Sequence, residues 1–169
     1  GSYTASKTFS AHGWVTVDDR VFEQYGVASR PGTDLYDFAG RGWSIETTDK
    51  SRSLGLGFEW AAVKNKLDIT LDATLLQAET SFDFWAGTLN SWAPLPDLTT
   101  DLVSLDLKAD YQWTRDLTLR LRYKYEDLLV EDYAYDGVAP DTLPYVLGLG
   151  NQSPDYSVHV IGISTVYKF

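Results

Sequence analysis

The sequence contains no cysteine, and this absence excludes several kinds of chemistry at once. Disulfide bridges, thiol catalysis and cysteine-ligated zinc or iron–sulfur centres all require that side chain. Histidine is also scarce, because the chain has only His12 and His159. A histidine-ligated haem or zinc site within the chain would have to use one or both of them. Isolated histidines in strand-like sequence are more often plain wall residues, so we expect this chain to bind no cofactor and no metal itself.

Basic residues and long apolar runs are also scarce. The chain has 14 Lys and Arg residues against 24 Asp and Glu residues, which gives a formal net charge of -10. A nucleic-acid surface needs an excess of basic residues, so this balance argues against DNA or RNA as a partner. No apolar run reaches the roughly 18 residues of a membrane-spanning helix, and no signal peptide is visible. A β-barrel crosses the membrane without such a run, so the membrane is not excluded.

Sequence patterns typical of enzymes are missing as well. The chain has no Ser-His-Asp arrangement, phosphate-binding glycine loop or dinucleotide fingerprint. The paired glycines in "GLGFEW" and "LGLGN" are not followed by a predicted helix, which such motifs require. The acidic residues of the connecting segments lack the ordered spacing of a calcium loop. We therefore expect no enzymatic activity.

The dominant positive signal is a two-residue alternation of apolar and polar side chains, which is typical of half-buried β-strands. It is clearest in "LGLGFEW", "KLDITLDATLLQ", "VSLDLKADYQW" and "LTLRLRYKY". The residues predicted to face lipid are Leu67, Ile69, Leu71, Leu105, Leu107, Leu119, Leu121, Ile161 and Ile163. The residues predicted to line the interior wall are Glu59, Asp68, Asp72, Asp106, Lys108, Asp110, Arg120, Arg122 and Lys124.

The alternation predicts an all-β, antiparallel up-and-down barrel with six clear strands. The first strand is expected over Tyr3 to Val17 and the last over about Tyr156 to Phe169. Two further strands, for instance around "RVFEQYGVA", would make eight. Short turns are expected near Val63–Asn65 and Thr114–Asp116. The three long connections are expected over 18–42, 81–100 and 131–155.

This asymmetry of the connections favours a membrane barrel. All long connections fall at one end of the strands, as do the long extracellular loops of outer-membrane barrels, and the short turns fall at the other, periplasmic end. Aromatic residues cluster near both strand ends, as in two interfacial girdles. A soluble barrel that binds a small apolar ligand shows the same alternation with the faces exchanged, so it remains an alternative. The aromatic stretch "SFDFWAGTLNSWAPLP" is expected in a loop, where it would anchor at the interface or contact a partner.

The charges of the predicted interior wall allow two interpretations. Paired carboxylates such as Asp68 and Asp72 are used in acid–base catalysis and in calcium sites. On an inner wall, however, the arginines and lysines of adjacent strands are their neighbours. We therefore expect cross-strand charge pairing rather than catalysis or metal binding.

Two stretches resemble known proteins. The closing "SVHVIGISTVYKF", with Tyr167 and Phe169 at its end, resembles the sorting signal that the outer-membrane barrel assembly machinery reads. The longer stretch "DGVAPDTLPYVLGLGNQSPDYSVHVIGISTVYKF" resembles the end of the MtrB/PioB family of decahaem-associated outer-membrane barrels, and "TTDKSRSLGLGFEWAAVKNKLDITLDATL" resembles a hairpin repeated through that family.

The resemblance implies a location and a role. Members of the family are large barrels in the bacterial outer membrane that surround a multihaem c-type cytochrome and insulate its haems for electron transfer. It implies outer-membrane lipid, that cytochrome and the assembly machinery as partners, with the haems held by the cytochrome's own side chains. The expected function is therefore a structural, porin-like sheath.

The small number of predicted strands limits how much a barrel built from this chain alone could enclose. Even about eight strands leave an interior only wide enough for side chains. We therefore expect residues 1–169 to form a single barrel domain or a segment of a larger barrel, with Gly1 and Ser2 left out of the fold prediction as the apparent remnant of a processed or recombinant fragment. A small self-contained outer-membrane barrel that acts through its loops remains a second alternative.

Overall fold

Seven β-strands and one short helix make up the part of the chain that the computed structural model describes, which is residues 1–28, 38–89, 93–133 and 155–169. Each strand pairs antiparallel with the next, in the order β1 to β7, so the predicted all-β up-and-down architecture is confirmed. The elements are β1 (Ser2–Ser6), β2 (Phe9–Val27), α1 (Phe38–Arg41), β3 (Gly42–Val63), β4 (Leu67–Ala86), β5 (Leu98–Gln112), β6 (Leu117–Glu131) and β7 (Tyr156–Tyr167).

The predicted count of six strands is wrong, because the first predicted strand is a hairpin. The chain turns at Lys7 and Thr8, where the Thr8 amide donates a hydrogen bond to Ser6 Oγ at 3.1 Å. Ser2, which the prediction left out, belongs to β1 and pairs with His12. The stretch "RVFEQYGVA" adds no separate strand, because β2 continues through it to Val27.

Two predicted strand ends are also wrong. β2 continues to Val27 and β4 to Ala86, so the first two long connections begin later and are shorter than predicted, whereas the third still lies between Glu131 and Tyr156. Residues 18–27 and 81–86 were expected in connections and lie in β2 and β4. The aromatic stretch that starts at Ser81 is thus strand up to Ala86, and Trp92 lies outside the described residues.

The sheet has no covering layer within the described residues. None of them forms a buried apolar core, and large apolar side chains stand open, with Ile161 71% and Ile163 80% exposed. No pairing joins β7 to β1 in the part of the chain that the structure describes. The only helix there has four residues, so none is long and apolar enough to cross a membrane. The architecture is that of a wall whose two edges are open.

The register sorts the side chains onto two faces, since residues directly opposite each other in an antiparallel pair point the same way. Leu71 lies opposite Leu107, and Leu107 lies opposite Tyr123. We call the face that carries them the outer face. Asp110 lies opposite Arg120 on the other side, which we call the inner face.

Candidate functional site

The outer face carries a continuous apolar band next to the short turns. All nine residues predicted to face lipid share this face through the β4–β5, β5–β6 and β6–β7 registers. On β4 the band runs from Leu67 to Leu75, which is nine residues or roughly 30 Å along a strand. A tilted strand needs about 9 to 11 residues to cross the hydrocarbon core. The band therefore has the height that a membrane crossing requires.

Aromatic rings border the band at the end with the short turns. Tyr111 packs edge-on against Trp113 with ring centroids 6.1 Å apart, and Lys66 Nζ lies 5.7 Å from the Tyr111 ring centre. The two residues predicted as an assembly signal also meet at this end. Tyr167 and Phe169 pack edge-on with centroids 5.0 Å apart. Such rings suit the boundary between lipid and water.

His159 lies on the outer face between two tyrosines. Its Nδ1 is 2.8 Å from the hydroxyl oxygen of Tyr123, and its ring stacks on Tyr125 with centroids 4.7 Å apart. No group of three or more metal-ligating side chains occurs among the described residues. His159 is thus placed as one member of an aromatic cluster near the border of the band.

The inner face behind this band is lined by charges that pair with one another. Arg120 binds Asp110 through two parallel hydrogen bonds, with Nε–Oδ1 at 2.7 Å and Nη2–Oδ2 at 2.9 Å. Arg122 makes a similar two-bond contact with Asp106, with Nε–Oδ1 at 3.1 Å. Such bidentate pairs are both stronger and more directional than single contacts. They fix the polar lining of the β5–β6 wall.

Pairing also runs along the strands. Lys108 Nζ lies 3.4 Å from Asp110 Oδ2, and Lys124 Nζ lies 2.7 Å from Glu126 Oε2. In both pairs the partners are two residues apart on one strand. The sequence reasoning anticipated cross-strand partners only, although residues two apart on a strand share a face as well.

Three further wall residues have different surroundings from those expected. Asp72 contacts His12 of β2, with Nε2–Oδ1 at 3.0 Å, and it forms no ion pair with an arginine or lysine among the described residues. Glu59 and Asp68 form no ion pair within the described residues. Asp68 lies directly opposite Asp110, whose charge Arg120 and Lys108 already offset.

Two glycines of β3 let large inner side chains lie flat against the wall. Gly55 and Gly57 are buried, and a Cβ at Gly55 would collide with the indole of Trp14 on the neighbouring strand. A Cβ at Gly57 would collide with both His12 and Asp72. A ring that covers a cross-strand glycine is a known way to fill such a gap. The alternation in the sequence gives no indication of the side chains that cover these two glycines.

The wall beyond the apolar band reverses its polarity, which the sequence reasoning did not foresee. On β4 the apolar run of the outer face stops at Leu75. The next four outer positions are Gln77, Glu79, Ser81 and Asp83, and an apolar ring returns only at Trp85, next to the end of the strand. The inner face becomes apolar at the same level, starting with Leu76. Phe82 and Phe84, which we expected in an interfacial girdle, consequently lie on the inner face.

Comparison with known proteins agrees with this geometry. The whole chain, residues 1–169, matches the family described as "Putative outer membrane beta-barrel porin, MtrB/PioB". The chain is also similar to "Outer membrane protein MtrB" of Shewanella baltica (strain OS185), with 26% identity over 149 residues. That match covers 88% of this chain and 21% of the relative, so the chain spans about a fifth of the relative's length. The predicted family and outer-membrane location are confirmed, and the chain belongs to the MtrB/PioB family of outer-membrane β-barrel porins.

Proposed function

We propose that this chain forms part of the wall of an outer-membrane barrel that surrounds and insulates a multihaem c-type cytochrome. In this proposal the wall carries out no catalysis and binds no haem itself. Its outer band meets lipid, and its inner face borders the cytochrome and the water around it. The hydrogen-bonded sheet and its apolar band separate the electron path from the lipid.

The observation that carries the proposal is an open wall whose β5 and β6 strands present paired charges to the inner side. Seven strands pair in sequence without β7 reaching β1 in the described part of the chain, as expected of a segment from a wide barrel. The charges that β5 and β6 present to the inner face are mutually paired, and Trp14 lies flat over Gly55. A lining of this kind leaves room for a large occupant and presents no unpaired arginine on β5 or β6 to it.

The two alternatives from the sequence fit the geometry less well. A small self-contained barrel needs its edge strands to pair, and the described residues show no such pairing. A soluble barrel for an apolar ligand would enclose the face that carries Leu71 and Leu107. That arrangement would leave the bidentate Arg–Asp pairs on the outside, and the family is an outer-membrane one.

The proposal is tested by purifying the protein in detergent from the outer membrane of its host. A haem-staining protein should co-elute at a fixed ratio to the barrel. In intact vesicles, added protease should leave that cytochrome whole while the barrel is present and digest it when the barrel is deleted. Absence of a co-eluting haem protein, or equal digestion with and without the barrel, would refute the sheath role.

A further inference from the structure

The inner face changes character where the outer apolar band ends. Below this level, β4, β5 and β6 present paired or solvated charges to the interior. Above it, the inner positions of the same strands carry no charged residue. We call the apolar residues of this upper inner surface the collar: Leu76, Phe82, Phe84, Leu102, Leu128 and Val130.

The collar is continuous across three strands. Leu76 lies directly opposite Leu102, and Leu102 lies directly opposite Leu128, so the three leucines form one row. All three are half-buried by one another. The rim carries aromatic rings, where Phe82 meets Tyr133 edge-on with centroids 6.4 Å apart.

The outer face at the same level places the collar outside the bilayer. The outer positions of β4 and β5 here include Glu79, Asp83 and Asp101, and β6 adds Asp127 and Glu131. Carboxylates on the lipid side are costly inside the hydrocarbon core, so this part of the wall stands in water. The collar's contact therefore cannot be lipid, because the collar lies on the opposite side of a sheet that has already left the membrane.

We propose that the collar is a docking surface for an apolar, uncharged patch on the protein that the barrel encloses, an inference that rests on the proposed sheath function. The polarity of the surface selects this partner. The collar residues themselves are leucines, phenylalanines and a valine, which match the desolvated core of a protein interface. A charge on the same face at this level, Asp49 of β3, accepts a hydrogen bond from Thr80 Oγ1 at 2.7 Å. The collar also continues directly from the inner wall assigned to the cytochrome. In this arrangement the charged wall below the collar stays hydrated, and the collar makes the direct contact with the enclosed protein.

Position-specific crosslinking tests this inference. Residues 1–169 contribute no thiol of their own, and the complete protein without either substitution, labelled in the same way, gives the background. Leu102→Cys places a thiol in the collar, and Asp101→Cys places one on the outer face one residue away. Each variant of the complete protein, assembled in the outer membrane, is labelled with a short thiol-reactive photo-crosslinker. Leu102→Cys should give a haem-staining adduct, and Asp101→Cys should give none.

A matched pair of substitutions measures the contact. Leu76→Asp introduces a charge into the collar, whereas Gln77→Asp introduces one on the outer face beside it. Leu76→Asp should weaken retention of the haem protein about tenfold, the loss expected when a charge enters a hot spot, and Gln77→Asp should leave retention unchanged. Heat-modifiable mobility on gels confirms that both variants have assembled.

The outcomes separate this inference from the proposed function. If the haem protein co-elutes but neither the Leu102→Cys adduct nor the loss in Leu76→Asp is seen, the collar is not its docking surface and the sheath role stands. An adduct within the same chain, or one of twice its mass, would assign the collar to another segment or to a second copy and overturn the inference. If no haem protein co-elutes at all, the proposed function fails, and this inference fails with it.

Discussion

The two halves of β4 carry opposite patterns on one uninterrupted strand. From Leu67 to Leu75 the outer positions are apolar and the inner ones include Asp68 and Asp72. From Leu76 to Ala86 the outer positions include Glu79 and Asp83, and the inner ones are apolar or small. The backbone and its pairing do not change at the junction. The side of a strand that carries the apolar residues therefore depends on the surroundings of each stretch and not on the fold. Lipid outside the wall favours apolar residues on the outer face, whereas water outside the wall favours polar residues there.

The largest effect on stability is expected from an arginine in the middle of the apolar band. Leu71→Arg or Leu107→Arg should lower the free energy of unfolding by about 2 to 4 kcal/mol, because the charge would face hydrocarbon at mid-membrane. Ser81→Arg places the same side chain on the outer face of the other half of β4 and should stay within about 0.5 kcal/mol. Denaturant titration of the protein in bilayers measures both. Equal effects at Leu71 and Ser81 would mean that the two halves share one environment.

A smaller effect is expected where a ring lies on the wall. Gly55→Ala should cost about 1 to 3 kcal/mol, because the new methyl group displaces the Trp14 indole. Gly162→Ala on β7 is the matched control, since nothing lies within 4 Å of a Cβ there. The same titration, together with the fluorescence of Trp14, reports the change. An unchanged free energy of unfolding in Gly55→Ala would show that the Trp14 indole can adopt another position at no cost.

Breaking one inner ion pair should cost less than the arginine in the apolar band. Arg120→Met leaves Asp110 with only Lys108 nearby, so the unfolding midpoint should fall modestly. Exchanging the partners, Asp110→Arg with Arg120→Asp, should recover most of the loss because the two residues lie directly opposite each other. A double variant less stable than Arg120→Met alone would argue against the pair as the source of the effect.

The smallest effect is expected at His159. His159→Phe keeps an aromatic ring stacked against Tyr125 and loses one hydrogen bond with Tyr123, so stability should change by about 0.5 kcal/mol or less. Metal or haem content of the purified protein, measured by elemental analysis and absorbance, should not change. A drop in either would give His159 the ligand role that its surroundings argue against.

The shared face of the band was predictable from the sequence because the alternation there is long and unbroken. The parity of Leu67, Leu107 and Leu121 was sufficient to assign their common face, and antiparallel pairing then brought them together. The charge pairs were predicted as a class, but the partner of Asp72 was not. That partner, His12, lies two strands away on β2, and alternation carries no information on a contact across an intervening strand.

The reversed polarity of Leu76 to Ala86 on β4 was not predicted, because the apolar residues were assumed to stay on one face along the whole strand. The signal that marks the reversal is two adjacent apolar residues, Leu75–Leu76 on β4 and Leu102–Val103 on β5, each facing opposite sides. Read as a break in the pattern, such a pair suggests the start of a loop. It marks instead the level at which the outer face changes from apolar to polar.

The ladder between β2 and β3 passes through this level with no bulge, pairing every residue from Phe9 with Trp60 to Val27 with Gly42. Its hydrogen bonds lie perpendicular to the strands, so a pull along the strands loads all of them together. A force applied along the strands at the Val27–Gly42 end would therefore not separate β2 from β3 residue by residue. The two strands would move together as one rigid unit, and the Lys7–Thr8 turn at the opposite end would be displaced with them.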